Sequence, residues 1–468
     1  MIGMTLAEIA EAVSGELHPG DAQNTLIVDG LSHTDSREVR PGDIFFAKPG
    51  EVTDGHLFAP QALENGAALL VVDHLLDLRA AQVLVADTVL ALGALATAVI
   101  ARARAVGRLK IVGVTGSNGK TTTKNLLRSI LTPLGSTVAA RESYNNEVGA
   151  PLTMLEVTEE TDYLVAEMGA SAVGEIARLV QMAKPDVGVV LKVGLAHAGE
   201  FGGIEATLAA KTEMVSELDA GDVAVLNHDD ARVASMADKT AASVLWFGLG
   251  TEADVTARDI VAARTGTTFT LVLPEGAARP VRFRVLGEHH VMNALAAAAA
   301  AHALGVSIDD IVAGLQRVTR AERWRMEVLG GSGGVTIIND AYNASPDSMA
   351  AALRTLAQLA ESGTRTVAVL GEMTELGELS GQEHDRIGLL AVRLNIDQLV
   401  VVGAGARRMH ISAIREGSFD GESIFSDTPE QAYDLLAETL RSGDIVLVKS
   451  SNAAGLRFLG DRLGELFS

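Results

Sequence analysis

A three-domain α/β protein with mostly parallel sheets is predicted for this chain, and three observations carry that prediction. Short apolar runs recur along residues 89–320 and again along 321–468, separated by segments with helical apolar spacing. Strands that are apolar throughout and alternate with helices belong to parallel sheets covered on both faces. One strand-to-helix junction, Gly113 to Thr123, is rich in glycine. The length of 468 residues exceeds what one core sustains and suggests about three domains.

The first unit, residues 1–88, is small. Thr5 to Val13 and Phe58 to Asn65 have helical spacing, and Ala68 to Val72 and Val83 to Ala86 read as strands. Pro41-Gly42-Asp43 precedes Ile44-Phe45-Phe46-Ala47, a turn that opens either a hairpin or a new strand. In the second unit, 89–320, strands are expected at Leu109 to Val114, Tyr163 to Glu167, Val187 to Val193 and Val223 to Leu226, with a helix from Ile204 to Leu218. Val244 to Val285 reads as several short strands, a small antiparallel addition, and Val291 to Leu304 as an alanine-rich helix. The third unit, 321–468, repeats the alternation with strands at Val335 to Asn339, Thr366 to Leu370, Gln398 to Val402 and Ile445 to Val448. It contains no G-x-G-x-x-G, so this second open sheet, Rossmann-like in pattern, carries no dinucleotide mark of its own.

Composition narrows the partners. A formal charge of −22 argues against nucleic acid or an anionic membrane as the main surface bound. The absence of cysteine excludes disulfides, thiolate metal sites and cysteine nucleophiles, and fits a reducing cytoplasm. The amino-terminal residues lack the basic and apolar regions of a secretory signal. The longest apolar stretches, Val89 to Ala101 and Val291 to Ala301, fall short of the ~20 residues that span a bilayer, so buried helices are expected and membrane insertion is not. No exposed heptad demands a partner, and a monomer is expected.

The glycine-rich junction carries the first chemistry. Its glycines let the backbone curl so that N–H groups converge on phosphate oxygens at a helix N-terminus. Lys120 can reach a terminal phosphate and the Thr121 hydroxyl can sit on Mg²⁺. The spacing, G-x-x-G-x-x-G-K-T, departs from the common phosphate loop, which would place glycine at Val114. Downstream, Glu167 ends an apolar strand, where a carboxylate either binds Mg²⁺ beside the phosphates or caps the next turn. His197 follows the next strand and is either a metal ligand or a structural histidine. Lys211 lies on the helix after it and, on these grounds alone, reads as a solvated lysine. Asn145-Asn146 opens a polar loop ending at Pro151 that either holds a substrate amide or carboxylate or stabilises itself.

Together these motifs resemble the Mur ligases, ATP-dependent amide-forming enzymes of peptidoglycan assembly, over nearly the whole chain. Thr115 to Thr122 is similar to the family's TGxNGKTT loop, Asn145 to Pro151 to its NNxxGxP segment, and Ala166 to Gly169 to its E-x-G strand end. His197 to Gly202 is similar to its HxExF/G segment and Gly287 to Asn293 to its GxHNxxN motif. Asn339 to Met349, and Gly371 to Gly377 followed by His384, are most similar to the member that adds D-alanyl-D-alanine to UDP-N-acetylmuramoyl-tripeptide. His290 stands where the family has asparagine, and Lys449-Ser450-Ser451-Asn452 where it has Lys-Gly-Ser-Arg.

The resemblance implies specific roles. Gly116, Ser117, Asn118, Gly119, Lys120, Thr121 and Thr122 would hold ATP, joined by Asn293 and, from the third domain, by Arg323, Asp340, Tyr342 and Asn343. Two Mg²⁺ ions are expected, with Thr121, Glu167, His197 and a carbamylated Lys211 as ligands. Lys120, Glu167, His197 and Lys211 would form the catalytic set. Ser36 and Arg37 would hold the uridine diphosphate end. Asn145, Asn146, Glu375, His384 and Lys449 would touch substrate. The implied reaction phosphorylates the tripeptide carboxylate and lets the dipeptide amine displace phosphate. On this reading the first unit is a substrate domain, the second the phosphate-loop ATPase domain, and the third closes on both.

Overall fold

A computed structural model of the chain describes residues 1–50, 53–140, 143–195, 203–263, 265–318, 322–331, 334–360, 363–416 and 422–468. The amino-terminal part opens with β1 (Met4–Thr5) and α1 (Leu6–Ala12). Thr5 and Glu8 form a reciprocal capping box, the reason the helix starts there. Then come β2 (Glu16–His18), β3 (Ile27–Val28), β4 (Ser32–His33), β5 (Ile44–Phe46), α2 (Ala59–Glu64), β6 (Leu69–Val72) and β7 (Gln82–Leu84). β1 pairs with β3, and the other strands form one sheet in the order β2-β7-β6-β5-β4. The turn Pro41-Gly42-Asp43 starts a strand and not a hairpin, because β5 runs parallel to both neighbours. Asp43 fixes it, accepting the Leu31 and Arg40 N–H groups at 2.8 Å each.

The middle of the chain comprises α3 (Thr88–Val106), β8 (Lys110–Thr115), α4 (Lys120–Leu131), β9 (Thr137–Ala139), α5 (Gly149–Met154), β10 (Tyr163–Glu167), α6 (Glu175–Ala183), β11 (Val187–Val190), α7 (Ile204–Ser216), β12 (Val223–Asn227), α8 (Ala231–Ala234) and β13 (Ser243–Phe247). Its sheet, β13-β12-β11-β8-β10-β9, is parallel at every pairing. β13 therefore departs from the expected antiparallel addition, which is confined to β14 (Thr256–Ala263), β15 (Gly266–Val272) and β16 (Ala278–Phe283). β11 stops at Val190, short of the expected Val193, because the next residues turn to other partners: Lys192 C=O accepts the Ser117 N–H, and Asp230 accepts that of Val193.

At 19 residues α3 is longer than the apolar run within it and would suit a membrane by length and composition. One face, from Ala91 through Leu95 and Val99 to Ala103, is instead packed in a core shared by the first and middle sheets. The alanine-rich helix α9 (Glu288–Ala303) is buried from Ala294 to Ala301 and packs on α4, so that α9 and then α10 (Ile308–Arg317) brace the helix after the glycine-rich turn.

The carboxyl-terminal part holds β17 (Glu327–Gly330), β18 (Thr336–Asn339), α11 (Pro346–Gln358), β19 (Thr366–Leu370), α12 (Ser380–Arg393), β20 (Gln398–Val402), α13 (Arg407–Arg415), β21 (Ser423–Ser426), α14 (Pro429–Thr439), β22 (Ile445–Lys449) and α15 (Leu456–Leu466). The order is β17-β18-β22-β19-β20-β21, parallel except at the β17 edge. One face packs Leu353, Ile387 and Met409 of α11, α12 and α13. The other packs Leu436 and Leu459 of α14 and α15. This is the expected Rossmann-like sheet, wound on both sides.

Candidate active site

The carboxyl ends of β8 and β10 meet those of β18 and β22 across a polar cavity of about 320 Å³. Ligands of open parallel sheets collect at such ends. Gly119 precedes the first turn of α4 at φ +87°, and a Cβ there would lie 2.3 Å from Asn293 Oδ1 of α9. Glycine is thus required by both the backbone and the neighbour. Among the described residues no side chain caps α4, which leaves its first N–H groups for an anion. Lys120 lies beside them, its Nζ 2.9 Å from Gly116 C=O, and burial lowers the ammonium's pKa.

Glu167 faces this loop from the end of β10, in register with Val114 of β8. Its Oε1 accepts from Thr121 Oγ1 at 3.2 Å and from Asn145 Nδ2 at 2.8 Å. Its Oε2 is buried with no hydrogen-bond donor among the described residues, the Lys124 ammonium standing 3.9 Å away. A desolvated carboxylate oxygen next to a hydroxyl at a phosphate-binding turn fits a divalent cation. Lys211, on α7, is only 4% exposed. Burial first, and the Lys120 charge second, push its amine down to about 7. His197 lies outside the described residues.

The third sheet supplies the opposite wall. Lys449, at the end of β22, donates to Asp340 Oδ2 at 2.6 Å and to Asn343 C=O at 3.0 Å. Tyr342 donates to Ser143 Oγ at 3.3 Å, and Ser345 Oγ donates to Asn118 Oδ1 at 3.1 Å. Asp340, Tyr342, Asn343, Lys449 and Asn293 thus share one cavity with Ser117 to Thr122. Arg323 does not line it. It pairs with Asp461 at 3.0 Å and lies over Trp324. Arg325 takes the cavity wall, 3.3 Å from Thr121 Oγ1 and stacked on Tyr342. Trp324 and Met326 both have positive φ, and the turn sends the two arginines to different sides. The spacing of the residues held no signal for that choice.

Other cavity residues that sequence reasoning missed are Ser143, His289 and Ser345; it also missed Lys124, which is fully buried beside Glu167 and outside the cavity lining. The helical position of Lys124, four residues after Lys120, was the available signal. His290, noted in the sequence only as a departure, lines the cavity with Nδ1 3.4 Å from Asn293 Nδ2 and its Nε2 buried without a partner among the described residues. Burial pushes both imidazoles down, His289 to about 4.

Several expected substrate residues serve the scaffold in this structure. Asn146 Oδ1 accepts the N–H groups of Val148 and Gly149. His384 is buried, with Nδ1 2.7 Å from Ser380 C=O and Nε2 accepting the Met373 N–H at 3.1 Å, so both ring nitrogens are occupied within the domain. Glu375 is exposed at φ +64°. Ser36 donates to Gln61 and is buried, whereas Arg37 folds onto Asp35 and is exposed, both in the amino-terminal part. A second cavity of about 1000 Å³ adjoins the first between the middle and third sheets, lined among others by Lys192, Arg232, Asp347, Arg354 and Glu383.

Comparison with known proteins places this geometry. Residues 32–109 match the Mur ligase family catalytic domain, 114–301 the Mur ligase middle domain and 324–452 the Mur ligase glutamate ligase domain. The UDP-N-acetylmuramoyl-tripeptide--D-alanyl-D-alanine ligase of Mycobacterium tuberculosis is 42% identical, over 99% of this chain and 98% of its own length. The crystal structure of MurF from Acinetobacter baumannii superposes with a TM-score of 0.89 at 34% identity, covering 99% of both chains. MurF ligase from Thermotoga maritima in complex with ADP gives 0.81 at 29% identity, covering 94% of this chain and 98% of that one. With that likeness running from end to end, this chain belongs to the Mur ligase family.

Proposed function

We propose that this chain is an ATP-dependent ligase that joins D-alanyl-D-alanine to UDP-N-acetylmuramoyl-tripeptide, the last cytoplasmic addition to the peptidoglycan precursor peptide. The observation that carries the reading is the single cavity into which the phosphate loop, the Glu167 carboxylate and the third-domain residues Arg325, Tyr342 and Lys449 all converge. A nucleoside triphosphate held there touches two domains at once, which couples its binding to closure. We place the domain boundaries at 88/89 and 320/321, and take the working species as a cytoplasmic monomer with neither nucleic acid nor membrane as partner.

A carboxylate is a poor acyl donor, because its leaving group would be oxide. Transfer of the γ-phosphoryl group of ATP to the tripeptide carboxylate creates an acyl phosphate, and the dipeptide amine then attacks the acyl carbon and releases phosphate. Two anions must approach for the first step, and at 4 Å with an effective dielectric near 20 they repel by ~4 kcal/mol. The residues here oppose that repulsion. The N–H groups at the start of α4 and the Lys120 ammonium bind phosphate oxygens, with Arg325 beside Thr121 as a further cation. Asn145 holds Glu167 in place for a metal ion that Thr121 and Glu167 would bind. His197 and a carbamylated Lys211 would hold a second ion. Mg²⁺ at these positions supplies charge neutralisation where phosphate and carboxylate meet.

Lys211 suits carbamylation for a physical reason. The reaction needs a neutral amine, and an amine pushed down to about 7 is largely neutral at cytoplasmic pH, where an ordinary lysine near 10.4 is not. Carbamylation also places an anion near the Lys120 ammonium, whose charge disfavours a proton on Lys211. Phosphate release measured with each substrate omitted in turn tests the assignment. Release should require ATP, the UDP-tripeptide and D-alanyl-D-alanine together, and steady release with ATP alone would mark a hydrolase instead.

A further inference from the structure

The amino-terminal sheet carries a second cluster of metal-ligating side chains, separate from the cavities between the domains. His56 sits in the single turn Gly55–Phe58 that follows β5, and Asp73 and His74 directly follow β6. β5 and β6 are adjacent and parallel, Phe46 opposite Val71, so their carboxyl ends bring the three side chains together. One donor atom from each of His56, Asp73 and His74 lies within 4.8 Å of the other two.

The details favour a cation. Asp54 Oδ1 accepts from the His56 N–H at 3.0 Å and from its Nδ1 at 2.6 Å. A proton held on Nδ1 leaves Nε2 as a lone pair. That lone pair lies 3.2 Å from Asp73 Oδ1, and among the described residues the donor reaching it is the Asp73 N–H, also at 3.2 Å. The lone pair and the carboxylate oxygen repel each other at that distance, and a cation bound between them would turn the repulsion into attraction. His74 Nδ1 is 2.6 Å from the same Oδ1, and the two imidazoles stack with centroids 4.2 Å apart.

A carboxylate behind an imidazole, leaving the far nitrogen unprotonated, is the arrangement that orients histidine toward transition metals. Tetrahedral ligands at zinc bond lengths stand about 3.3 Å apart, close to the spacing of Asp73 from His56, while the 2.6 Å between His74 Nδ1 and Asp73 Oδ1 has to open when the ion binds. The side chain of His56 is 3% exposed and fixed, while those of Asp73 and His74 are 31% and 57% exposed and free to adjust. Two imidazoles and one carboxylate select zinc-like ions over Mg²⁺.

We propose that His56, Asp73 and His74 bind one divalent transition-metal ion of the zinc class, with Asp54 orienting His56 and one position left to water. Such an ion ties the segment after β5 to the segment after β6, on the rim where ligands of a parallel sheet gather. The full chain, stripped with chelator, is titrated with zinc chloride by calorimetry in excess Mg²⁺. The Glu167→Gln variant is titrated alongside, to separate this site from the interdomain cavity. One zinc per chain should bind in both, raising the melting temperature. His74→Ala and Asp73→Asn, changes at the exposed side chains, should weaken binding at least tenfold. Equal stoichiometry and affinity in those two variants, or loss of the zinc in Glu167→Gln alone, overturns the site.

Discussion

Lys120, Glu167 and Lys211 form a charge constellation whose parts are intelligible only together. Lys120 is close enough to Lys211 to lower that amine's pKa, and Glu167 is the nearby anion that favours the Lys120 charge. Lys120→Ala should lower turnover by at least about 10²-fold, the usual loss when one donor to a developing charge is removed, with an unchanged melting temperature. Near-normal turnover would sink the assignment. Lys211→Ala should lose activity and regain part of it with short carboxylic acids that replace the carbamate, and a folded variant that no acid rescues argues against the carbamate. His289 adds a pH dependence. An unfolded imidazole takes its proton near 6.5, and burial holds this one down to about 4. Between those values the unfolded state binds more protons, so the folded state loses stability as pH falls through the window. In His289→Asn the decline of melting temperature between pH 6.5 and 4 should be shallower than in the unchanged protein.

At the scale of elements, the helix that carries the phosphate loop depends on what packs behind it. α10 crosses α4 at Gly314, where an added Cβ would sit 2.5 Å from Ile130 Cα, a backbone atom that cannot swing aside. Ser129 Oγ donates to Gly314 C=O at 2.8 Å at the same crossing. Gly314→Ala should cost about 1–3 kcal/mol by overpacking, read as a lower urea midpoint. It should also raise KM for ATP, because α4 shifts with its loop. Strands Tyr163–Glu167, Thr366–Leu370 and Gln398–Val402 run as their sequence suggested, since an apolar run bounded by polar residues marks both ends. β13 was read in the wrong sheet for an equally clear reason: a short run states that it is a strand, but its partner β12 is chosen by tertiary packing.

For the whole molecule, the third domain meets the second through polar contacts. Lys192 Nζ lies 3.2 Å from Asp347 Oδ1, and Gly194 passes so near the same aspartate that a Cβ would approach its Oδ2 to 2.3 Å. Both side chains of the pair are partly exposed, so the attraction is worth at most about 1 kcal/mol. Lys192→Glu, which turns attraction into repulsion, should lower kcat/KM for ATP by about tenfold. Asp347→Lys in the same chain should recover most of it, a coupling that a double-mutant cycle measures. Additive losses would show that the pair does not help closure.

The order of strands and helices, the phosphate loop, and the carboxylate at the end of β10 were all legible in the chain, because each is written in neighbouring residues. Local spacing sets a strand, a turn or a helix start wherever it occurs. Which arginine reaches the nucleotide cavity, that Lys124 stands behind Glu167, that both nitrogens of His384 are spent inside its own domain, and that His56 meets His74 required the folded chain. These depend on side-chain direction and on which groups the fold brings together, some of them more than a hundred positions apart, which follow from packing and not from spacing. Trp324 and Met326 at positive φ are the sharpest case. Two residues in an unusual backbone conformation turn Arg323 outward and Arg325 inward, and they are held that way by Asp461 and Asp340 from the surrounding domain.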